Sequence, residues 1–134
     1  MATEIRQSER EGIVILEIKG RLTVGEVSEL RERVRTLTAA GQTNFILNLE
    51  GVDYIDSTGL GTMVICFTSV QKAGGKLKLV NLSRRNIELL VLTKLATVFE
   101  IFNSEQDAVN SFFPNREIKR FDILDFVQQQ EKED

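Results

Sequence analysis

The 134-residue sequence predicts an α/β fold: a mixed β-sheet that opens with a hairpin and continues in strand–helix units, with about four helices and a helical C-terminal tail. Three observations carry this. The runs Ile13-Val14-Ile15-Leu16-Glu17-Ile18 and Phe45-Ile46-Leu47-Asn48-Leu49 are nearly continuous and apolar, as buried strands are. Segments with apolar residues three and four apart, the mark of one helical face, lie between such runs. Glycines, Gly41 and Gly74-Gly75, stand where those helical patterns stop.

The elements follow in order. Residues 3–9 read as a short first strand, and Glu11-Gly12 as the turn into the second, at 13–18. Residues 20–25, Gly-Arg-Leu-Thr-Val-Gly, read as a loop. From Glu26 a helix is expected, with Val27, Leu30, Val34 and Leu37 on its inner face. A strand at 45–49 and a helix at 57–72 come next; Leu60, Met63, Val64, Phe67 and Val70 form the inner face of that helix. Lys76-Leu77-Lys78-Leu79-Val80 is a shorter strand. Ser83 then caps a helix facing inward through Ile87, Leu90 and Val91. A last strand is expected at 98–102. Ser104 and Asp107 resemble a capping box for a helix bearing Ala108, Val109 and Phe112, which Pro114 ends.

Residues 1–114 are expected to form one domain and 115–134 a C-terminal extension. In the extension Phe121, Leu124 and Val127 share one face of a short helix, flanked by Ile123 and Phe126. That helix folds back on the domain or docks on a partner or a second copy of the chain, as a homodimer would. From 128 the chain is polar and expected to fray.

Composition narrows the function. Apolar residues make up 42% and charged ones 28%, which fits a folded soluble domain rather than disorder. No apolar run approaches the ~20 residues of a membrane span, and Met1-Ala2-Thr3-Glu4 lacks the basic and apolar regions of a signal peptide. One cysteine permits no internal disulfide, so a cytoplasmic location is the expectation. Net charge is −3 with no basic stripe, which argues against nucleic acid as a partner. Arg31, Arg33 and Arg35 alternate with Glu29 and Glu32 as on a solvated helix face. The chain has no His, so Ser-His-Asp and Cys-His catalysis and the commonest zinc sets are excluded.

The chemistry-bearing stretch is Tyr54-Ile55-Asp56-Ser57-Thr58-Gly59-Leu60-Gly61, at a strand-to-helix corner. Such corners in open α/β sheets gather ligands and partners. Ser57 or Thr58 can cap the helix that follows, and a phosphate on either would meet helix N–H donors. An aspartic protease needs two facing aspartates in an all-β setting, which this alternation of strands and helices does not supply. Gly59-Leu60-Gly61 lacks the lysine of a phosphate-binding loop. Asp53 and Asp56 have no third acid beside them for magnesium. Cys66 reads as a small residue near the apolar face. No cofactor and no catalytic residue are expected.

The run Asn48-Leu49-Glu50-Gly51-Val52-Asp53-Tyr54-Ile55-Asp56-Ser57-Thr58-Gly59-Leu60-Gly61 resembles the signature of STAS domains, and in particular of bacterial anti-sigma factor antagonists. The similarity runs from about residue 3 to 113 and takes in Gly20-Arg21-Leu22 and Lys72-Ala73-Gly74-Gly75. It implies a non-enzymatic protein that binds an anti-sigma factor serine kinase and is switched off when that kinase phosphorylates Ser57. A separate phosphatase would reset it. The implied partner surface comprises Leu22, Thr23, Val24 and Gly25 of the loop with Asp56, Ser57, Thr58 and Gly59 of the corner. Thr23 stands where many relatives carry an aspartate. The alternative is a STAS scaffold in a larger signalling assembly or homo-oligomer.

Overall fold

A computed structural model describes residues 3–133, with side chains through Gln129. Five strands form one sheet in the order β1-β2-β3-β4-β5. β1 (Glu4–Arg10) and β2 (Ile13–Leu22) pair antiparallel. Glu11 and Gly12, at φ 52° and 84°, make the two-residue turn between them, whose positive dihedrals match the twist of a hairpin. α1 (Ser28–Ala39) then crosses to β3 (Asn44–Ile55), and α2 (Ser57–Lys72) to β4 (Lys76–Val80). α3 (Arg84–Leu92) and a 3-10 turn at Leu95–Thr97 lead to β5 (Ile101–Phe102). The pairings β2–β3, β3–β4 and β4–β5 are all parallel. α4 (Glu105–Asn110) and α5 (Ile123–Glu133) complete the chain.

Alternation along the strands divides the core into two layers. Val14, Leu16 and Ile18 of β2, with Phe45, Leu47 and Leu49 of β3, pack against Leu30 and Val34 of α1 and Met63 and Val70 of α2. Ile13, Ile15, Ile46, Val80 and Phe102 face the other way, onto Ala108 and Val109 of α4, with Phe112 and Phe113 at the margin. The sheet centre is therefore covered on both sides, which is why its strands read as continuous apolar runs. α2 ends as the glycines suggest. Gly74, at φ 86°, donates to the Gln71 carbonyl (3.0 Å), and Gly75 N–H reaches back to Val70 O (3.0 Å).

Several expectations change. β2 continues through Gly20, Arg21 and Leu22, because these residues pair with β3 at Val52, Tyr54 and Ile55. β3 likewise runs to Ile55, so most of the motif is strand. α1 begins at Ser28, behind a turn closed by Glu26 N–H on Thr23 O (2.8 Å). The last strand is only Ile101–Phe102, because Leu95–Thr97 coils and leaves Val98 41% exposed. α4 stops at Asn110, so Phe112 packs from the turn beyond it.

The tail folds back on its own domain. It arrives extended: Phe121 N–H donates to Ile101 O (3.1 Å), and Arg120 bridges antiparallel to Phe102. Only then does α5 begin, with Asp122 accepting from Asp125 N–H (3.0 Å). Phe121 and Ile123 touch the core while Leu124 is 68% exposed, so the expected Phe121–Leu124–Val127 stripe is not the buried face. Helical backbone continues through the expected fray to Glu133; Met1, Ala2 and Asp134 lie outside the described residues. Among the described residues no helix is long and apolar enough to cross a membrane.

Candidate functional site

β3 delivers the corner to the end of the sheet. Leu22 of β2 pairs with Ile55 of β3, so the segment after β2 emerges beside the segment after β3. Backbone bonding reinforces this: Asp56 N–H donates to Leu22 O at 3.1 Å. Gly59 lets α2 seat on that same carbonyl. A Cβ there would lie 2.0 Å from Leu22 O, closer than any side chain can approach.

The cap of α2 is Asp56, not Ser57 or Thr58 as the sequence suggested. Asp56 is extended (φ −95°, ψ −175°), and its Oδ1 accepts from Gly59 N–H at 2.8 Å. Its other oxygen, Oδ2, accepts from Val24 N–H at 3.2 Å. One carboxylate thus fastens the loop to the helix. The hydroxyls of Ser57 and Thr58 are released from capping, and both residues are exposed at the open end of a 16-residue helix.

The segments named from sequence do come together. Val24 (75% exposed), Gly25, Ser57 and Thr58 are on the surface, and Thr23 and Asp56 are half-buried. Leu22 and Gly59 are buried and support that surface from beneath. Two more residues meet near the end of β3, just before the corner. Tyr54 is 40% exposed, and the Arg85 guanidinium lies 4.9 Å from its ring centre. No sequence signal marks Arg85, because it stands 31 positions from Tyr54 and only the β3–β4–α3 path brings it near. Asn86, 1% exposed, anchors that helix by donating from Nδ2 to Val52 O at 3.1 Å. A separate cleft of about 580 Å³ is lined by Lys19 and Arg21 with Glu4, Glu26 and Asp53.

This arrangement presents an alcohol without activating it. Both Asp56 oxygens are engaged by backbone N–H groups, and the chain has no imidazole to serve as base. Cys66 is 2% exposed, and burial pushes its thiol up to about 11, which keeps it protonated at neutral pH. Among the described residues no cluster of three or more His, Cys, Asp or Glu could hold a metal.

Comparison with known proteins agrees in fold and sequence. The STAS domain family model matches residues 4–108. An anti-sigma-B factor antagonist from Bacillus subtilis (strain 168) is 36% identical over 106 residues, covering 79% of this chain and 94% of that protein. An anti-sigma factor antagonist from Mycobacterium paratuberculosis superposes with a TM-score of 0.74 at 16% identity, over 82% of this chain and 93% of that one. The Bacillus cell fate determinant SpoIIAA in its phosphorylated form gives a TM-score of 0.66 at 20% identity, over 81% and 99% of the two chains. At such identities the two structures speak for the fold, and the family match and the Bacillus relative carry the lineage. The chain belongs to the STAS domain family.

Proposed function

We propose that this protein is an anti-sigma factor antagonist, a binding module and not an enzyme, switched by phosphorylation of Ser57. The observation that carries the reading is the exposed Ser57 hydroxyl at the first residue of α2, beside a loop that Asp56 clips to the same corner. The Bacillus subtilis relative is an anti-sigma-B factor antagonist, and one structural neighbour is known in a phosphorylated form.

In this scheme the unmodified domain, residues 1–114, docks an anti-sigma factor serine kinase in the cytoplasm through Thr23, Val24, Gly25, Ser57 and Thr58. The exposed Val24 supplies the apolar contact. The kinase, once occupied, releases its sigma factor. With ATP bound, the kinase directs Ser57 Oγ at the γ-phosphorus. The new O–P bond forms as the bond to the β–γ bridging oxygen breaks, ADP leaves, and the hydroxyl proton passes to a base of the kinase. A phosphatase later returns the alcohol by hydrolysis.

The magnitudes favour release. Phosphorylation adds about −1.5 to −2 charges. The helix N-terminus stabilises an exposed anion by about 0.3–1 kcal/mol. A dianion held in an interface without a cation costs several kcal/mol to desolvate. Each ~1.4 kcal/mol is tenfold in affinity, so one phosphate lowers binding on the order of a hundredfold. The test is mass mapping after incubation with the anti-sigma factor kinase of the same cell and ATP. Ser57→Ala should abolish phosphate incorporation while retaining kinase binding. Stoichiometric phosphate on Thr58 in that variant would overturn the assignment.

A further inference from the structure

We infer that Asp56 is a positioning residue that transmits the charge state of Ser57 to the 23–25 loop. The inference deepens the switch proposed above and rests on Ser57 being its modified residue. Its basis is the division of one carboxylate between two elements: Oδ1 on Gly59 N–H of α2 at 2.8 Å, Oδ2 on Val24 N–H of the loop at 3.2 Å. The two bonds are unequal. The helix bond is short and closes a cap, whereas the loop bond is longer and lies at the surface. When the carboxylate is strained, the loop bond yields first.

A phosphate on Ser57 supplies that strain. Neighbouring Cα atoms are about 3.8 Å apart, so the two anions can approach to roughly 6 Å. Repulsion between a carboxylate and a dianion at that distance in water corresponds to at most about tenfold in an equilibrium at low salt, because only the part relieved as Oδ2 swings off Val24 shifts the loop. At physiological ionic strength screening reduces that ceiling to about threefold. Asp56 then keeps its helix bond and lets Val24 go. Val24 is the most exposed apolar residue of the loop, so the surface a partner meets loses its ordered contact as well as changing charge.

The experiment reads the Val24 amide directly. Full-length protein is made with serine and with genetically installed phosphoserine at position 57, each with Asp56 and as Asp56→Asn. Amide exchange at Val24 and Gly59 is followed by NMR at about 10 mM and 150 mM salt. Phosphoserine should speed Val24 exchange by up to about tenfold at low salt and by up to about threefold at high salt, with Gly59 still protected. Asn has a single acceptor oxygen, so Asp56→Asn should keep the helix bond, free Val24 without any phosphate, and cancel the phosphate effect. Ser57→Asp, with one charge, should give a smaller effect of the same sign. Unchanged Val24 exchange in phosphoserine protein, or an equal phosphate effect in Asp56→Asn, overturns the inference. Because the phosphate is installed without any kinase, the result stands apart from the proposed function. Should the kinase modify another residue, the switch fails while the Val24 measurement keeps its meaning.

Discussion

The same substitution at two positions of α2, Gly59→Ala and Gly61→Ala, should move stability in opposite directions. At Gly59 an added Cβ would lie 2.0 Å from Leu22 O and 2.8 Å from Leu22 C. A carbon resting on a carbonyl oxygen needs about 3.3 Å, so the start of α2 must retreat by roughly 1.3 Å. Leu22 cannot yield, being fully buried and bonded to Asp56 N–H. Overpacking of this kind costs about 1–3 kcal/mol, and weakening the Asp56 bond adds up to about 1. Replacing glycine inside a helix returns about 1 kcal/mol. The net is a loss of up to about 3 kcal/mol. At Gly61 nothing lies within 4 Å of the added carbon, so the helix-propensity gain of up to about 1 kcal/mol stands alone. Equilibrium urea unfolding with unchanged m-values should therefore separate the two variants by about 1–4 kcal/mol. Equal stabilities would refute the claim that α2 is seated by backbone contact at this glycine.

Three other perturbations probe the frame around the site. Asn86→Asp removes the donor to Val52 O and places an anion in a position 1% exposed, so it should destabilise by more than the ~1–3 kcal/mol of Asn86→Ala in the same urea assay. The Cys66 thiol, raised by burial from 9.0 to about 11, holds its proton in the folded state after the unfolded chain has lost it. Stability is thus fully present below pH 9 and falls between 9 and 11, and Cys66→Ala should flatten that alkaline slope in pH-dependent unfolding. Phe121→Ala unfastens the tail from the core and should expose Lys119 and Arg120 to trypsin, with a far smaller change in the unfolding of the domain. Unchanged cleavage would mean that the Arg120–Phe102 bridge holds the tail without that ring.

Much of the fold was legible because its signals are local. The β-branched runs of β2 and β3, the helical spacing of α1 and α2, the hairpin turn at Glu11-Gly12 and the glycine stop at Gly74 each act within a few residues. The bounds of α2 and β4 could be read directly for the same reason. Elements that depend on distant partners are not legible in this way. β5 shrinks to two residues because the preceding chain coils into a 3-10 turn, and α5 starts late because residues before it are drawn to the sheet edge. Gly20, Arg21 and Leu22 look like loop by composition yet are strand, since β3 runs far enough to pair with them.

The sequence alone determined the class of chain, the corner and the hydroxyls displayed there, because hydrophobic period and the Asp56–Gly61 motif are properties of contiguous residues. Tertiary structure alone decided which side chain caps α2, which residues join the surface and which lie beneath it. Asp56 can serve as the clip only because β2 and β3 end side by side, and Arg85 reaches Tyr54 only after a crossover through β4. Hydrogen bonds between strand ends depend on register and distance in space, and no spacing along the chain encodes them.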